Sequence, residues 1–420
     1  MNRRTQQSLT PILMQGGFLE RHRSAALTLM LAVATAGSVA SAQTSATLAS
    51  AQTSGAGAKA ATDSTPKAAA PAADSTPNFF KDIQANAFLS FAIQTNLNQP
   101  KDRSIGLRYF DNVANTFSLD VAELVLQKAV KNPGDAGFRV DFEAGSAIPG
   151  KEQSAGLRIG ESADLQQAYF TYLAPVGSGL KLDIGKFVTH LGYELIEGYD
   201  GYNDNYSRSL LFNYAIPLTH TGVKASYTVN SMVSVMGMVV NGWDNAVDNN
   251  SGKSVGLQLA LTPAPPVAIY LNYMGGPELT DTNKYLRHIG DFIATYKVSD
   301  AFMLGVNADY GMEEKASLVK KGDDAKWSGV AGYARIGPST GGSLGLRAEV
   351  FKDEGGTRLG SEVPITAKEF TFTPVYKFKN NFAVRVEGRY DSVNQAIFVD
   401  DNGKPKKNQA TIGVNAIWSY

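Results

Sequence analysis

Along residues 382–390 apolar or small positions fall on every second residue: Phe382, Val384, Val386, Gly388 and Tyr390 share one parity, and Ala383, Arg385, Glu387 and Arg389 the other. A period of two predicts a β-strand with one greasy and one charged face. The same alternation recurs along the chain. Ile83, Ala85, Ala87, Leu89, Phe91 and Ile93 form one greasy set; Phe138, Val140 and Phe142 another; Leu180, Leu182 and Ile184 a third. Further sets are Val223 to Val229, Val255 to Leu261, Phe302 to Tyr310, Leu344 to Val350 and Ala410 to Tyr420. With less regular candidates near 116–128, 164–173, 232–241, 267–274, 287–297, 326–336 and 366–377, the pattern predicts about sixteen strands, fourteen being the lower count.

The connections sharpen this picture. Tight links such as "KNPGDAG", "APVGSG", "TPAPP", "KVSD" and "FKNN" alternate with long polar ones at 96–115, 147–163, 189–218, 242–252, 312–325, 353–365 and 393–407. One end of the sheet therefore carries short turns and the other long loops, the asymmetry of a membrane barrel with short periplasmic turns and long extracellular loops. A Greek-key sandwich gives no reason for such regularity. Phe302 and Tyr310, like Phe382 and Tyr390, stand eight residues apart on the greasy face. At roughly 3.3 Å per residue and a tilt near 40°, that spacing is close to an apolar band flanked by aromatic girdles. The predicted fold class is thus all-β, a transmembrane antiparallel up-and-down barrel. Its greasy parity meets lipid and its charged parity a wet interior. About sixteen strands enclose a lumen too wide for wall side chains to fill, which implies an aqueous channel.

Composition agrees and adds an address. The chain of 420 residues has no Cys, which excludes disulfides and thiolate metal sites. Its mean hydropathy of -0.16 excludes a bundle of membrane-spanning helices. Arg21, His22 and Arg23 precede an apolar run from Ala25 to Ala36, and "ASAQ" places Ala40 and Ala42 for cleavage before Gln43. Residues 1–42 read as an export signal, with a start at Met14 as an alternative because the stretch before Arg21 is long. Residues 43–78, rich in Ala, Ser, Thr and Pro, read as a disordered periplasmic linker, and 79–420 as the barrel. Removing Arg3, Arg4, Arg21, Arg23 and Glu20 with the signal takes the net charge from 0 to about -3, which suggests no nucleic-acid partner.

The stretches "LQQAYFTYLAPVGSGLKLDIGKFVTHLGYE" (165–194), "NYSRSLLFNYAIPLTHTGVKASY" (205–227) and "NGWDNAVDNNSGKSVGLQL" (241–259) resemble the OmpL-like outer-membrane β-barrel porins. The resemblance covers residue 79 to the end and implies a porin-like barrel in the bacterial outer membrane, without defining a solute. The last strand, ending in Trp418 and Tyr420, resembles the C-terminal signal read by the barrel-assembly machinery. Outer-membrane lipid and lipopolysaccharide are the expected surroundings, small hydrophilic solutes the expected cargo, and a homotrimer the common association of porins.

Candidate pore-lining residues are Arg139, Asp141 and Glu143; Lys181, Asp183 and Lys186; Arg347 and Glu349; and Arg385, Glu387 and Arg389. Mixed signs on a lumen wall attract hydrated polar solutes and set a transverse field, or else neutralise one another across neighbouring strands. In the longest loop, 189–218, Glu194, Glu197, Asp200, Asp204 and Arg208 alternate with Tyr193, Tyr199, Tyr202 and Tyr206. Such a loop is expected either to fold inward as a constriction or to lie outside on its neighbours. His190 and Glu194 have metal-ligand spacing, but no second His shares the stretch. No signature groups Ser, His and acid for hydrolysis, so neither an enzyme nor a cofactor is expected. The competing functions are a surface scaffold or adhesin with a plugged lumen, and a soluble secreted all-β binding protein.

Overall fold

A computed structural model describes residues 82–148, 162–338, 340–378 and 381–420. The expected export signal at 1–42 and linker at 43–78 lie outside them, as do residues 79–81 of the expected barrel. The strands are β1 (Gln84–Asn96), β2 (Phe117–Lys128), β3 (Ala136–Ala144), β4 (Ala163–Ala174), β5 (Leu180–Val188) and β6 (Thr219–Asn230). They continue with β7 (Val233–Val240), β8 (Ser254–Ala264), β9 (Val267–Pro277), β10 (Leu286–Ser299), β11 (Phe302–Glu313) and β12 (Ala325–Ile336). Then follow β13 (Gly341–Asp353), β14 (Ile365–Lys377), β15 (Phe382–Val393), the two-residue β16 (Phe398–Val399) and β17 (Pro405–Lys406), and β18 (Asn408–Ser419).

Sixteen of these close into one antiparallel barrel, each strand beside its chain neighbour and β18 beside β1, while β16 and β17 form a small hairpin in the last long loop. The seam runs in register from Phe88 opposite Ser419 to Asn96 opposite Thr411. Closure leaves no strand edge, which is what a bilayer demands of a sheet. The two-residue period sets the faces as expected: on β15 Phe382, Val386 and Tyr390 are exposed outside, while Arg385, Glu387 and Arg389 are buried inside. Phe370 on β14 faces Tyr390 at one end of the outer band, and Phe382 faces Trp418 at the other. Near the short turns Tyr376, Phe378 and Phe382 pack at 4.8 and 5.3 Å, with Trp418 and Tyr420 stacked at 6.0 Å, so an aromatic girdle borders the apolar band.

Short turns end β4 where Gly177 (φ +56°) and Gly179 (φ +107°) take backbone angles that side chains resist. The connection at 278–285 completes the alternation of loops; it is shorter than the long links read from the sequence. Two bulges add inward residues: the pairing of β1 with β2 skips Asp120, and that of β3 with β4 skips Gln166. Both extra residues are buried in the lumen, Gln166 donating to Glu143 at 2.9 Å.

Val386 is the sharpest probe of the outer face. It lies midway between Phe382 and Tyr390, opposite Val414. In a bilayer, Val386→Arg is expected to cost about 2–4 kcal/mol, because a guanidinium is driven toward mid-membrane. Urea titration of the reconstituted barrel, read by heat-modifiable gel migration, checks this. An unchanged midpoint would mean that this face does not meet lipid.

A candidate constriction in the lumen

The wall side chains do not fill the interior; the connection between β5 and β6, residues 189–218, turns into it and crosses it. The reason is a set of wall groups that match the loop's backbone. Glu387 accepts the Tyr206 and Ser207 amides at 2.6 and 3.0 Å, and Glu349 those of Leu210 and Leu211 at 2.5 and 3.1 Å. Asp291 accepts the Gly192 amide at 3.0 Å, Asn307 that of Tyr193 at 3.3 Å, and Glu123, across the barrel on β2, that of Tyr199 at 2.5 Å. A carboxyl oxygen that accepts backbone N–H groups satisfies donors that would otherwise be buried alone.

Ion pairs complete the anchorage. Arg385 forks onto Glu197 at 2.6 and 2.8 Å and also donates to the Asn203 carbonyl. Arg347 bridges Glu194 of the loop at 2.6 Å and Glu369 of β14 at 2.7 Å. Arg389 pairs with Asp391 at 2.7 Å and donates to the Arg208 carbonyl at 2.6 Å. On the opposite wall Arg139 reaches Asp200 at 2.8 Å. Burial raises the Glu197 carboxyl, yet Arg208 and Arg385 outweigh it and hold the group below its usual range. At Asp204 burial wins over Arg335 and pushes the carboxyl up.

The wall is also hollowed where the loop passes. A β-carbon at Gly305 would lie 2.6 Å from the Tyr193 ring, at Gly329 2.6 Å from Leu211, and at Gly345 3.0 Å from Asp204. Glycine at these three points is what lets the loop press against β11, β12 and β13. Above the anchors, Leu210, Leu211, Phe212, Ile216 and Leu218 form an apolar cluster with Phe187, Trp327 and Phe351, fully enclosed within the barrel. Residues Leu211–Ala215 make one π-helical turn, whose Ala215 carbonyl accepts from Trp327 Nε1 at 3.0 Å. The loop after β1 enters as well: Arg108 pairs with Asp111 and Asp391, and Tyr109 packs on Tyr214 at 4.9 Å.

The sequence-derived candidates divide by position. Arg347, Glu349, Arg385, Glu387 and Arg389 face inward and are spent on holding the loop. Arg139, Asp141, Glu143, Lys181 and Asp183 face the lumen on β3 and β5, where coverage is thinner: the Arg139 and Lys181 side chains stay 12% and 22% exposed, and Asp200 39%. Lys186 lies elsewhere. It shares the parity of Leu182 and Ile184, and its ammonium reaches Asp164 at 2.7 Å, so its place follows from period-two counting rather than from its charge. Among the loop candidates Glu194, Glu197 and Arg208 are enclosed, and Asp204 is half-buried. His190 stands 6.4 Å from the His220 ring, whereas Glu194 goes to Arg347. Sequence reading missed Glu123, Asp291, Asn307, Trp327 and Glu369. Each is a single polar or aromatic residue on an otherwise ordinary strand, and only its partner reveals its role, an atom of the loop for the first four and the wall arginines Arg347 and Arg389 for Glu369.

No curated protein matches the sequence. Among solved structures, the anion-selective porin from Comamonas acidovorans is similar over 80% of this chain and 99% of its own, at 9% identity and a TM-score of 0.54. The outer membrane channel DcaP of Acinetobacter baumannii is similar over 80% and 97%, at 12% identity and a TM-score of 0.54. The trimer form of OmpT from Vibrio cholerae is similar over 80% and 99%, at 12% identity and a TM-score of 0.52. At such identities these likenesses establish the shared barrel fold. The sequence itself matches the family described as "Putative beta-barrel porin-2, OmpL-like" over residues 82–420, and with the closed sixteen-strand barrel on the page the chain belongs to that family of outer-membrane porins.

Proposed function

We propose that this porin passes small hydrophilic solutes by passive diffusion, through the part of the lumen that the 189–218 loop leaves beside β3 to β6. The observation that carries the reading is the uneven cover of the wall. Lys181 and Lys224 keep 22% of their side chains exposed, next to Arg139 and Asp200, while the facing wall on β13 to β15 is sealed by the loop. A water-filled path lined by both signs lowers the cost of carrying a polar solute past hydrocarbon, and no catalytic step is involved. The enclosed apolar cluster around Phe212 and Trp327 favours the second reading, a surface scaffold with a plugged lumen. A homotrimer is the association proposed, as in the trimer form of the OmpT barrel it resembles.

Planar bilayers separate these readings. Purified folded protein is expected to give discrete current steps, and a salt gradient then gives a reversal potential that reports charge preference. A correctly folded barrel that gives no steps would sink the channel and leave the scaffold.

A further inference from the structure

A group of cationic and aromatic residues gathers at the long-loop side of the constriction, apart from the wall carboxylates and arginines that anchor residues 192–211. Arg358, from the loop after β13, lies with its guanidinium carbon 4.9 Å from the Trp243 ring and 5.0 Å from the Trp327 ring. Arg287 of β10 lies 4.8 Å from the same Trp243 ring, and the two indoles meet edge to face at 6.2 Å. Arg358 Nε donates to the Tyr214 carbonyl at 2.7 Å, which fixes the side chain over the constriction loop.

The acids nearby are already engaged. Glu313 takes Arg287 at 2.8 Å, Asp244 accepts the Leu218 and Thr219 amides, and Glu278 accepts the Trp243 backbone amide and the Ser254 hydroxyl. Asp353 accepts the backbone amides of Arg358 and Leu359. Among the described residues no carboxylate comes within ion-pair distance of the Arg358 guanidinium. Beside it Trp243 Nε1 and Arg287 Nε are buried without a partner, as are the hydroxyl of the adjacent Thr357 and the Oδ1 of Asp353. Trp243 itself is 7% exposed. Burial and the neighbouring Arg287 lower the Arg358 group to about 10, and Glu313 and Asp244 offset this only in part. Stacking on indoles offsets part of this cost, and an anion would offset the rest.

We propose that Arg358, Arg287, Trp243 and Thr357 form a binding site for the oxyanion of a small solute, a carboxylate or a phosphate, at the entrance to the constriction. The guanidinium fork of Arg358 matches two oxygens of such a group, and the indole N–H and the hydroxyl supply further donors. The site deepens the channel reading by naming a solute class, and it rests on that reading only for access from the mouth.

Tryptophan fluorescence tests it directly, because Trp243 and Trp327 sit in the site, and Trp418, the third of the chain's three tryptophans, lies in the girdle at the short-turn end. The folded protein in detergent is titrated with succinate and with inorganic phosphate at constant ionic strength, with chloride as the control. A saturable change with either oxyanion and none with chloride is expected, succinate alone indicating carboxylates and phosphate alone indicating phosphates. Arg358→Gln is expected to weaken binding about tenfold or more, and Arg358→Lys less, since it keeps the charge and loses the fork. Trp243→Phe, which removes one orphan donor, serves as a second variant read through Trp327 should Arg358→Gln fail to fold, and it too is expected to weaken binding. No saturable change in the parent protein, or equal affinity in the parent and the folded variants, overturns the site. Current steps without binding would fail this proposal alone, whereas binding without current would fail the channel.

Discussion

Deleting residues 196–206 is expected to raise single-channel conductance roughly twofold or more, because the segment occupies the middle of a lumen that sixteen strands would otherwise leave open. The deletion removes Glu197, Asp200 and Tyr206, and with them the contacts to Arg385, Arg139 and Glu387. Its ends are near one another, since Arg208 Nε donates to the Leu195 carbonyl at 3.0 Å, so the shortened loop closes without dragging on β5 or β6. The freed wall charges regain water rather than staying dry. Single-channel recording at fixed salt is the measurement, with heat-modifiable migration as the folding control. Conductance equal to that of the parent would show that the arm does not limit the passage.

The second large effect is expected from Arg385→Gln. The substitution leaves Glu197 enclosed with only Arg208, at 3.4 Å, as its counter-charge. Breaking a buried ion pair from one side typically costs about 3–5 kcal/mol, and the remaining arginine should keep the loss at the low end of that range. Glu197→Gln together with Arg385→Gln removes both charges and is expected to be less damaging than the single change. Urea midpoints of the folded barrel decide it, and a double variant as unstable as the sum of the singles would deny the pairing. The same pair gives a pH dependence. Because Glu197 is held below its unfolded value near 4.5, its contribution is present above that pH and is lost as pH falls through the lower folded value. Conductance should therefore become noisier or larger on acidification, and this trend should be absent in the double variant.

The barrel was legible in the sequence because a strand exposed to lipid on one face and water on the other must alternate, and Phe302 to Tyr310 or Phe382 to Tyr390 do so without a slip. The candidate site was only half legible. Arg385, Glu387 and Arg389 announce an inward face, but an arginine that lines water and one that clamps a loop occupy the same parity. Burial tells them apart, and burial depends on where residues 189–218 go. The density of Tyr and acidic residues in that loop was the available signal. Lys186 shows the limit of reading charge alone: a long side chain on the outward parity can curl to Asp164 and disappear from both solvents. Arg358 had no pattern around it, since its partners come from strands and loops far apart in the chain.

The tether between wall and loop has one more implication. Glu123, Asp291, Glu349 and Glu387 grip main-chain amides, which every residue except proline carries. Such a grip is indifferent to what hangs from the same α-carbons. The identity at Tyr199, whose side chain is only half-buried, is thus open to exchange without unhooking the segment, provided that no proline is introduced, whereas Tyr206 and Ser207 also use their side chains, on Asp120 and on Arg347 and Arg389. A sieve built this way can be retuned for new cargo by point changes, with its mounting left intact.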